Sequence, residues 1–277
     1  MQKLIIANLK MNLLTLSERE RYLESFKKEL KNKNISDTEI VLCPPAVHIE
    51  NFVKKIHPVK SGKAGTSQSE VISQGKKAVA IGAQNIFWEE RGSFTGEISA
   101  AMVKNIGAKY VIIGHSERKK YFSEDNKIAN AKIRIALHNG LVPVYCIGET
   151  KEERLSGNTV DVIMKQMVEG LDEISSTKIQ SIVLVYEPVW AVGSDEIPTG
   201  NEILEAKILI KKLLSHAYGP EIANKIKILY GGSVKAKTAE QVCLEPGMDG
   251  VLVGRESLVP SEFLKIAETI NEQKKTE

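Results

Sequence analysis

The sequence predicts a single (β/α)₈ barrel, and three observations carry that prediction. Eight short apolar, β-branched runs recur along 277 residues, helical patterns separate most of them, and no G-x-G-x-x-G follows the first run, which disfavours an open doubly wound sheet. The runs are Lys3–Ala7, Ile40–Cys43, Ala78–Gly82, Tyr110–Ile113, Val142–Cys146, Ile182–Tyr186, Lys225–Leu229 and Gly250–Val253. Most lack strict alternation, as expected for parallel strands covered on both faces. Barrels of this class commonly reach roughly 250 residues as one unit, so residues 1–277 are read as one domain.

Taken in order, the first helix reads from a capping box, Ser17-x-x-Glu20, followed by Tyr22, Leu23, Phe26 and Leu30 at three- and four-residue spacing. From His57 to Lys77 the chain is rich in Ser, Gly, Lys and Gln, with Val71 and Ile72 its one apolar pair. That composition predicts a surface insertion before the third strand and accounts for a chain longer than the usual barrel. Further on, a helical pattern runs from Asn126 to Leu137 and stops at Asn139-Gly140, a good C-terminal cap.

Composition narrows the function. With 42% hydrophobic residues, 26% charged residues and a net charge of +3, disorder and collagen-like repeats are excluded. Charges alternate in sign along the helical stretches, and the only basic cluster is a short tail near Lys274 and Lys275, so no nucleic-acid partner is expected. No run approaches a membrane span, and Leu4–Ala7 is cut short by Asn8 and Lys10, so neither leader nor anchor is expected. Cys43, Cys146 and Cys243 are odd in number, far apart and set beside apolar residues, which fits reduced thiols and a cytoplasmic setting. The five histidines form no HExxH and no CxxC occurs, so no protein metal site is expected.

Catalytic groups of such a barrel project from the C-terminal ends of its strands. Standing there are Asn8 and Lys10, Gln84 and Asn85, His115 and Glu117, and Glu187, with Gly193, Gly231-Gly232 and Gly254 further on. The strings Asn8-Leu9-Lys10-Met11-Asn12, Gly82-Ala83-Gln84-Asn85, Phe94-Thr95-Gly96-Glu97, Gly114-His115-Ser116-Glu117-Arg118, Cys146-Ile147-Gly148-Glu149, Tyr186-Glu187-Pro188-Val189-Trp190-Ala191 and Tyr230-Gly231-Gly232-Ser233 together closely resemble the triosephosphate isomerase family. Their joint order spans nearly the whole chain. The resemblance implies a TIM barrel, usually a homodimer, that interconverts a phosphorylated ketose and aldose without a cofactor: dihydroxyacetone phosphate and glyceraldehyde 3-phosphate.

That chemistry needs a base beside the reacting carbon, an electrophile for the enediolate oxygens and a grip on the phosphate. Glu187 ends an apolar run before Pro188, where burial would make it a stronger base; a lone Glu there is otherwise a capping or surface residue. His115 opens the turn after the fourth strand, where the backbone of a following helix would hold one ring nitrogen and leave the other for substrate oxygen. Lys10 faces either a dianionic ligand with Glu117 as protein partner, or snorkels to the rim. Asn8 either orients these groups or forms a turn. Gly193, Gly231, Gly232, Ser233 and Gly254 offer backbone N–H groups to a phosphate, with tight turns as the rival reading for each glycine. Pro188, Val189 and Trp190 start a lid that keeps water from the enediolate, unless Trp190 is simple packing.

Three strings depart from the family pattern. Where the family continues after Gly193 with Thr-Gly-Lys, this chain has Ser194-Asp195-Glu196-Ile197-Pro198; Arg255 replaces a second glycine after Gly254; and Leu9 stands where Trp is usual. They resemble related barrel isomerases acting on four-carbon ketose phosphates such as L-erythrulose 1-phosphate, which is the alternative reading. A catalytically silent phosphate-binding protein is the alternative of another class. Arg255 is either a phosphate ligand or a rim residue turned to solvent. Thr95 resembles the family residue that reaches the partner subunit's active site.

Overall fold

The computed structural model describes residues 2–58 and 78–272. Strands β1 (Lys3–Asn8), β2 (Thr38–Cys43), β3 (Ala78–Ala83), β4 (Tyr110–Ile113), β5 (Val142–Ile147), β6 (Val183–Tyr186), β7 (Lys227–Tyr230) and β8 (Gly250–Val253) run parallel and close into a barrel in sequence order. Closure is made by β1, which pairs with β2 from Lys3↔Thr38 to Asn8↔Cys43 and with β8 from Leu4↔Gly250 to Ala7↔Val253. All eight predicted runs are strands, shifted at their ends by at most two residues. The two-residue shifts are at the starts of β2 and β7, the latter because Pro220 starts a short helix that carries the backbone to Lys225 before the strand begins.

The helices are α1 (Leu16–Lys31), α2 (Ile49–Ile56), α3 (Ala100–Asn105), α4 (Ser116–Phe122), α5 (Asn126–His138), α6 (Lys151–Leu155), α7 (Thr159–Gly170), α8 (Gly200–Tyr218), α9 (Pro220–Lys225) and α10 (Pro260–Glu272). One expectation is corrected at α1. Its capping box is Thr15 with Glu18, not Ser17 with Glu20: Thr15 Oγ1 accepts from Glu18 N, and Glu18 also takes the N–H of Leu14, which sets where the chain turns into the helix. Ser17 therefore lies inside the first turn. The expected insertion from His57 to Lys77 falls, apart from His57 and Pro58, outside the described residues.

The continuous apolar strands are explained by two layers of core. Ile5, Ala7, Ile40, Leu42, Val111, Ile113, Leu184 and Ile228 face outward and pack against the helices. Alternate residues, among them Leu4, Ile6, Val41, Ile112, Val144, Val185, Leu229 and Leu252, fill the barrel. A strand buried on both sides keeps its two-residue alternation in space while losing it in hydropathy. Because the interior is packed rather than hollow, polar side chains collect at the rim, where β1, β4, β6, β7 and β8 end.

Candidate active site

Lys10 follows β1 with φ of +50°, a left-handed conformation that costs a lysine about 1–2 kcal/mol. Two side chains hold it there. Its N–H donates to Asn8 Oδ1 (3.1 Å), and Gln84 Nε2 donates both to its carbonyl (2.9 Å) and to that of Cys43 (2.9 Å). Asn8 and Gln84 thus fix the kink, which is the local reason an amide stands at the end of β1. The ammonium pairs with Glu117 Oε1 at 2.6 Å, so Lys10 does not snorkel away unpaired.

His115 is the N-cap of α4, and its Nδ1 accepts the N–H of Glu117 at 3.2 Å. With Nδ1 serving as acceptor, the imidazole is neutral and carries its proton on Nε2, which lies 3.1 Å from Glu187 Oε1. Glu187 is buried at the end of β6, and its Oε2 and Oε1 also accept from Ser116 N (2.9 Å) and Ser116 Oγ (3.0 Å). The carboxylate is therefore held at the start of α4. Close packing behind it is required: a Cβ on Gly148 would lie 2.1 Å from the Glu187 carbonyl oxygen, and one on Gly231 would lie 3.3 Å from its Cβ.

A cavity of about 200 Å³ brings Asn8, Lys10, His115 and Glu187 together with Gly193, Gly231, Gly232, Ser233, Gly254 and Arg255. Glu117 does not line this cavity but stands behind it, paired with Lys10 and beside His115. Among the described residues, the N–H groups of Gly232 and Gly254 have no protein acceptor and remain available to an anion. Gly231 is a correction: its N–H is spent in the sheet on Tyr186 O (2.8 Å), so its glycine serves close approach, not phosphate donation. The Ser233 N–H, also expected to face the phosphate, is instead engaged by Ala191 O (3.1 Å), and Arg255 Nη2 donates to Gly193 O (3.2 Å), so both touch the strand-six loop.

That loop is anchored at its start by a residue the sequence reading left without a role. Glu149, fully buried, accepts from Trp190 Nε1 (2.9 Å) and from the Tyr186 hydroxyl (3.2 and 3.3 Å), while the Arg154 guanidinium lies 4.4 Å from the centre of the Trp190 ring. Pro188 and Val189 fold back over Glu149, with Val189 N donating to its carbonyl (2.9 Å). Ser194 lies at the far end of the loop, in a second hollow with Asp195, Ser233 and Lys235. Also unforeseen is the buried cluster behind β4, where Glu124 Oε2 accepts from Lys132 and Arg118, each at 2.6 Å, and Lys132 reaches Asn85 Oδ1 at 2.8 Å. Burial opposes the charge on Glu124, but Lys132 and Arg118 outweigh it and hold the carboxyl below its usual range. Cues for Ser116, Glu149 and Asn85 were present in the quoted strings; Glu124 and Lys132 carry no such signal. Thr95 is exposed on the loop after β3 and lies outside the cavity formed by its own chain.

These groups amount to a carboxylate and a neutral imidazole in hydrogen-bond contact, a lysine beside them, and an anion cradle a short way off. The comparisons agree with that chemistry. A model of the triosephosphate isomerase family matches residues 3–270. A triosephosphate isomerase of Dictyoglomus thermophilum is 40% identical over 268 residues, covering 97% of this chain and 99% of that protein. Those of Dictyoglomus turgidum and Thermoanaerobacter pseudethanolicus are 39% identical over 267 residues and 38% identical over 263, covering 96% and 95% of this chain and 98% and 97% of theirs. With the match running through every strand that supplies the cavity, the chain belongs to the triosephosphate isomerase family.

Proposed function

We propose that this chain is a sugar-phosphate isomerase that interconverts dihydroxyacetone phosphate and glyceraldehyde 3-phosphate, the step shared by glycolysis and gluconeogenesis. The observation that carries the reading is the Glu187 carboxylate 3.1 Å from a neutral His115 Nε2–H, in one cavity with Lys10. Glu187 takes a proton from the carbon beside the carbonyl and returns it to the neighbouring carbon. His115 donates through Nε2 to the enediolate oxygens, and the Lys10 ammonium stabilises the charge that develops on them. The N–H groups of Gly232 and Gly254 bind the phosphate, and the segment from Pro188 to Ser194 covers the reacting carbons. Proton transfer of this kind asks nothing of a cofactor.

Relatives that cover nearly the whole chain bear the three-carbon name, which favours dihydroxyacetone phosphate over L-erythrulose 1-phosphate and over a silent binder. The test is kcat/KM for both ketose phosphates, together with proton exchange from the bound ketose into heavy water. A four-carbon preference, or no exchange, would refute the reading.

The working unit in this reading is a cytoplasmic homodimer, and 1–277 acts as one domain. Support for the dimer comes from exposed apolar side chains that follow four adjacent strands: Met11 after β1, Val47 after β2, Trp88 and Phe94 after β3, and Phe122 after β4. Loops after neighbouring strands share one side of the rim next to Lys10, and in this reading Thr95, exposed on the loop after β3, reaches the partner's active site. The buried, unpaired thiols support a reducing compartment. Among the described residues no helix is long and apolar enough to cross a membrane.

A further inference from the structure

The strand-six loop rests on the phosphate end of the cavity through three contacts. Ser233 N donates to Ala191 O (3.1 Å), Arg255 Nη2 donates to Gly193 O (3.2 Å), and Lys235 Nζ pairs with Asp195 Oδ1 (3.0 Å). Every donor in this set lines the same cavity as Gly232 and Gly254, and every acceptor belongs to the loop. Two of the contacts exist because of sequence departures: Arg255 stands where a glycine is usual, and Asp195 occupies the altered loop tip. Arg255 is exposed and, among the described residues, has no carboxylate within salt-bridge distance, so its one polar partner is the loop carbonyl. Hydrogen bonding from Lys235 holds the Asp195 carboxyl below its usual range, and the charges of Arg255 and Lys237 act in the same direction. The loop tip therefore lies in a field made by cations that border the phosphate cradle.

We propose that Arg255 and Lys235 are phosphate-binding residues of this enzyme, and that the loop now occupies the donors a phosphate would take. A dianion entering between Gly232 and Gly254 competes with Gly193 O for the guanidinium and with Asp195 for the ammonium, because charge-assisted contacts to phosphate are stronger than one to a neutral carbonyl. When the phosphate wins, the Arg255 and Lys235 tethers are lost together, and the loop keeps only its Ser233 N–Ala191 O contact on this side of the cavity. A ligand shifts such an equilibrium only by its preference for one state, and the shared donors supply that preference.

This inference rests on the reading of the cavity as a phosphate site, and its test needs no turnover. Inorganic phosphate is titrated calorimetrically into the wild type and into Arg255→Ala, Lys235→Ala and Asp195→Asn, all of which alter exposed or half-buried rim residues. Loss of the guanidinium weakens phosphate binding about tenfold, the usual worth of a charge-assisted contact, and Lys235→Ala weakens it in the same sense. Asp195→Asn has the opposite sign: it removes the competitor and tightens phosphate about two- to fivefold, the range of an exposed ion pair. A merely structural role for the loop tip gives no such reversal. Unchanged phosphate affinity in Arg255→Ala, or unchanged or weakened affinity in Asp195→Asn, overturns the proposal. A protein that binds phosphate with these signs yet fails to isomerise supports it while refuting the isomerase reading.

Discussion

Glu187 spends both of its oxygens on the start of α4 and on His115, so it must leave Ser116 before it can take a proton from carbon. Glu187→Gln preserves this shape and removes the base. Steady-state kinetics should show kcat reduced by about 10²–10⁴-fold, the usual contribution of a general base, with the binding of inorganic phosphate largely kept. Lys10→Met should lower kcat and raise KM together, because it deletes the charge that faces both the enediolate and the phosphate. Near-normal turnover in either variant would contradict the assigned roles. That Lys10, His115 and Glu187 would meet in one cavity was legible from the strings that contain them, since each residue taken alone has an ordinary reading as a rim, capping or structural side chain. Ser116 was not singled out, since a serine at a helix start is an ordinary residue until Glu187, 71 positions away, is brought against it. The reading of Gly231 failed for a related reason: a glycine donates to a phosphate only if its N–H is not already spent in a sheet.

Between β4 and α5, the charge of Glu124 is held by the Gly114 N–H, Arg118 and Lys132, with Lys132 almost as buried as its partner. Glu124→Gln leaves the Lys132 ammonium without its counter-charge and should cost about 3–5 kcal/mol in urea unfolding, as breaking one side of a buried pair does. The pH dependence has a definite sign. The folded carboxyl lies below its ordinary 4.5, so its contribution is complete above that value and is lost as pH falls through the folded pKa. Stability of the wild type should therefore fall below pH 4.5 more steeply than that of Glu124→Gln; parallel acid-unfolding curves would contradict this. Strands were more legible than helix starts. Eight β-branched runs between helices admit few arrangements, whereas Thr15-x-x-Glu18 and Ser17-x-x-Glu20 are equally good caps on paper. Contacts with Leu14, made outside the helix, decide between them. Residues His57–Lys77 were legible only as composition.

The barrel presents Met11, Val47, Trp88, Phe94 and Phe122 on one side and builds Lys10 beside them, so assembly and catalysis should depend on concentration together. Light scattering with activity measured on the same dilutions should give twice the chain mass and full activity, with specific activity falling as mass approaches that of one chain. A fully active monomer would remove Thr95 from any part in the site. Another property of the whole chain follows from its three thiols. Cys43 and Cys146 lie inside the barrel on β2 and β5, and Cys243 lies outside it between β7 and β8. Burial pushes the first two well above the usual thiol range and Cys243 up to about 11. None should react with a thiol reagent at neutral pH while the barrel is closed, and all three should react in denaturant. The protein thus carries a chemical clock of its own. Mass spectrometry of partly labelled chains would read it: equal rates at the three positions would mean that the barrel opens in one step, and early labelling of Cys243 that its last quarter peels away before the rest.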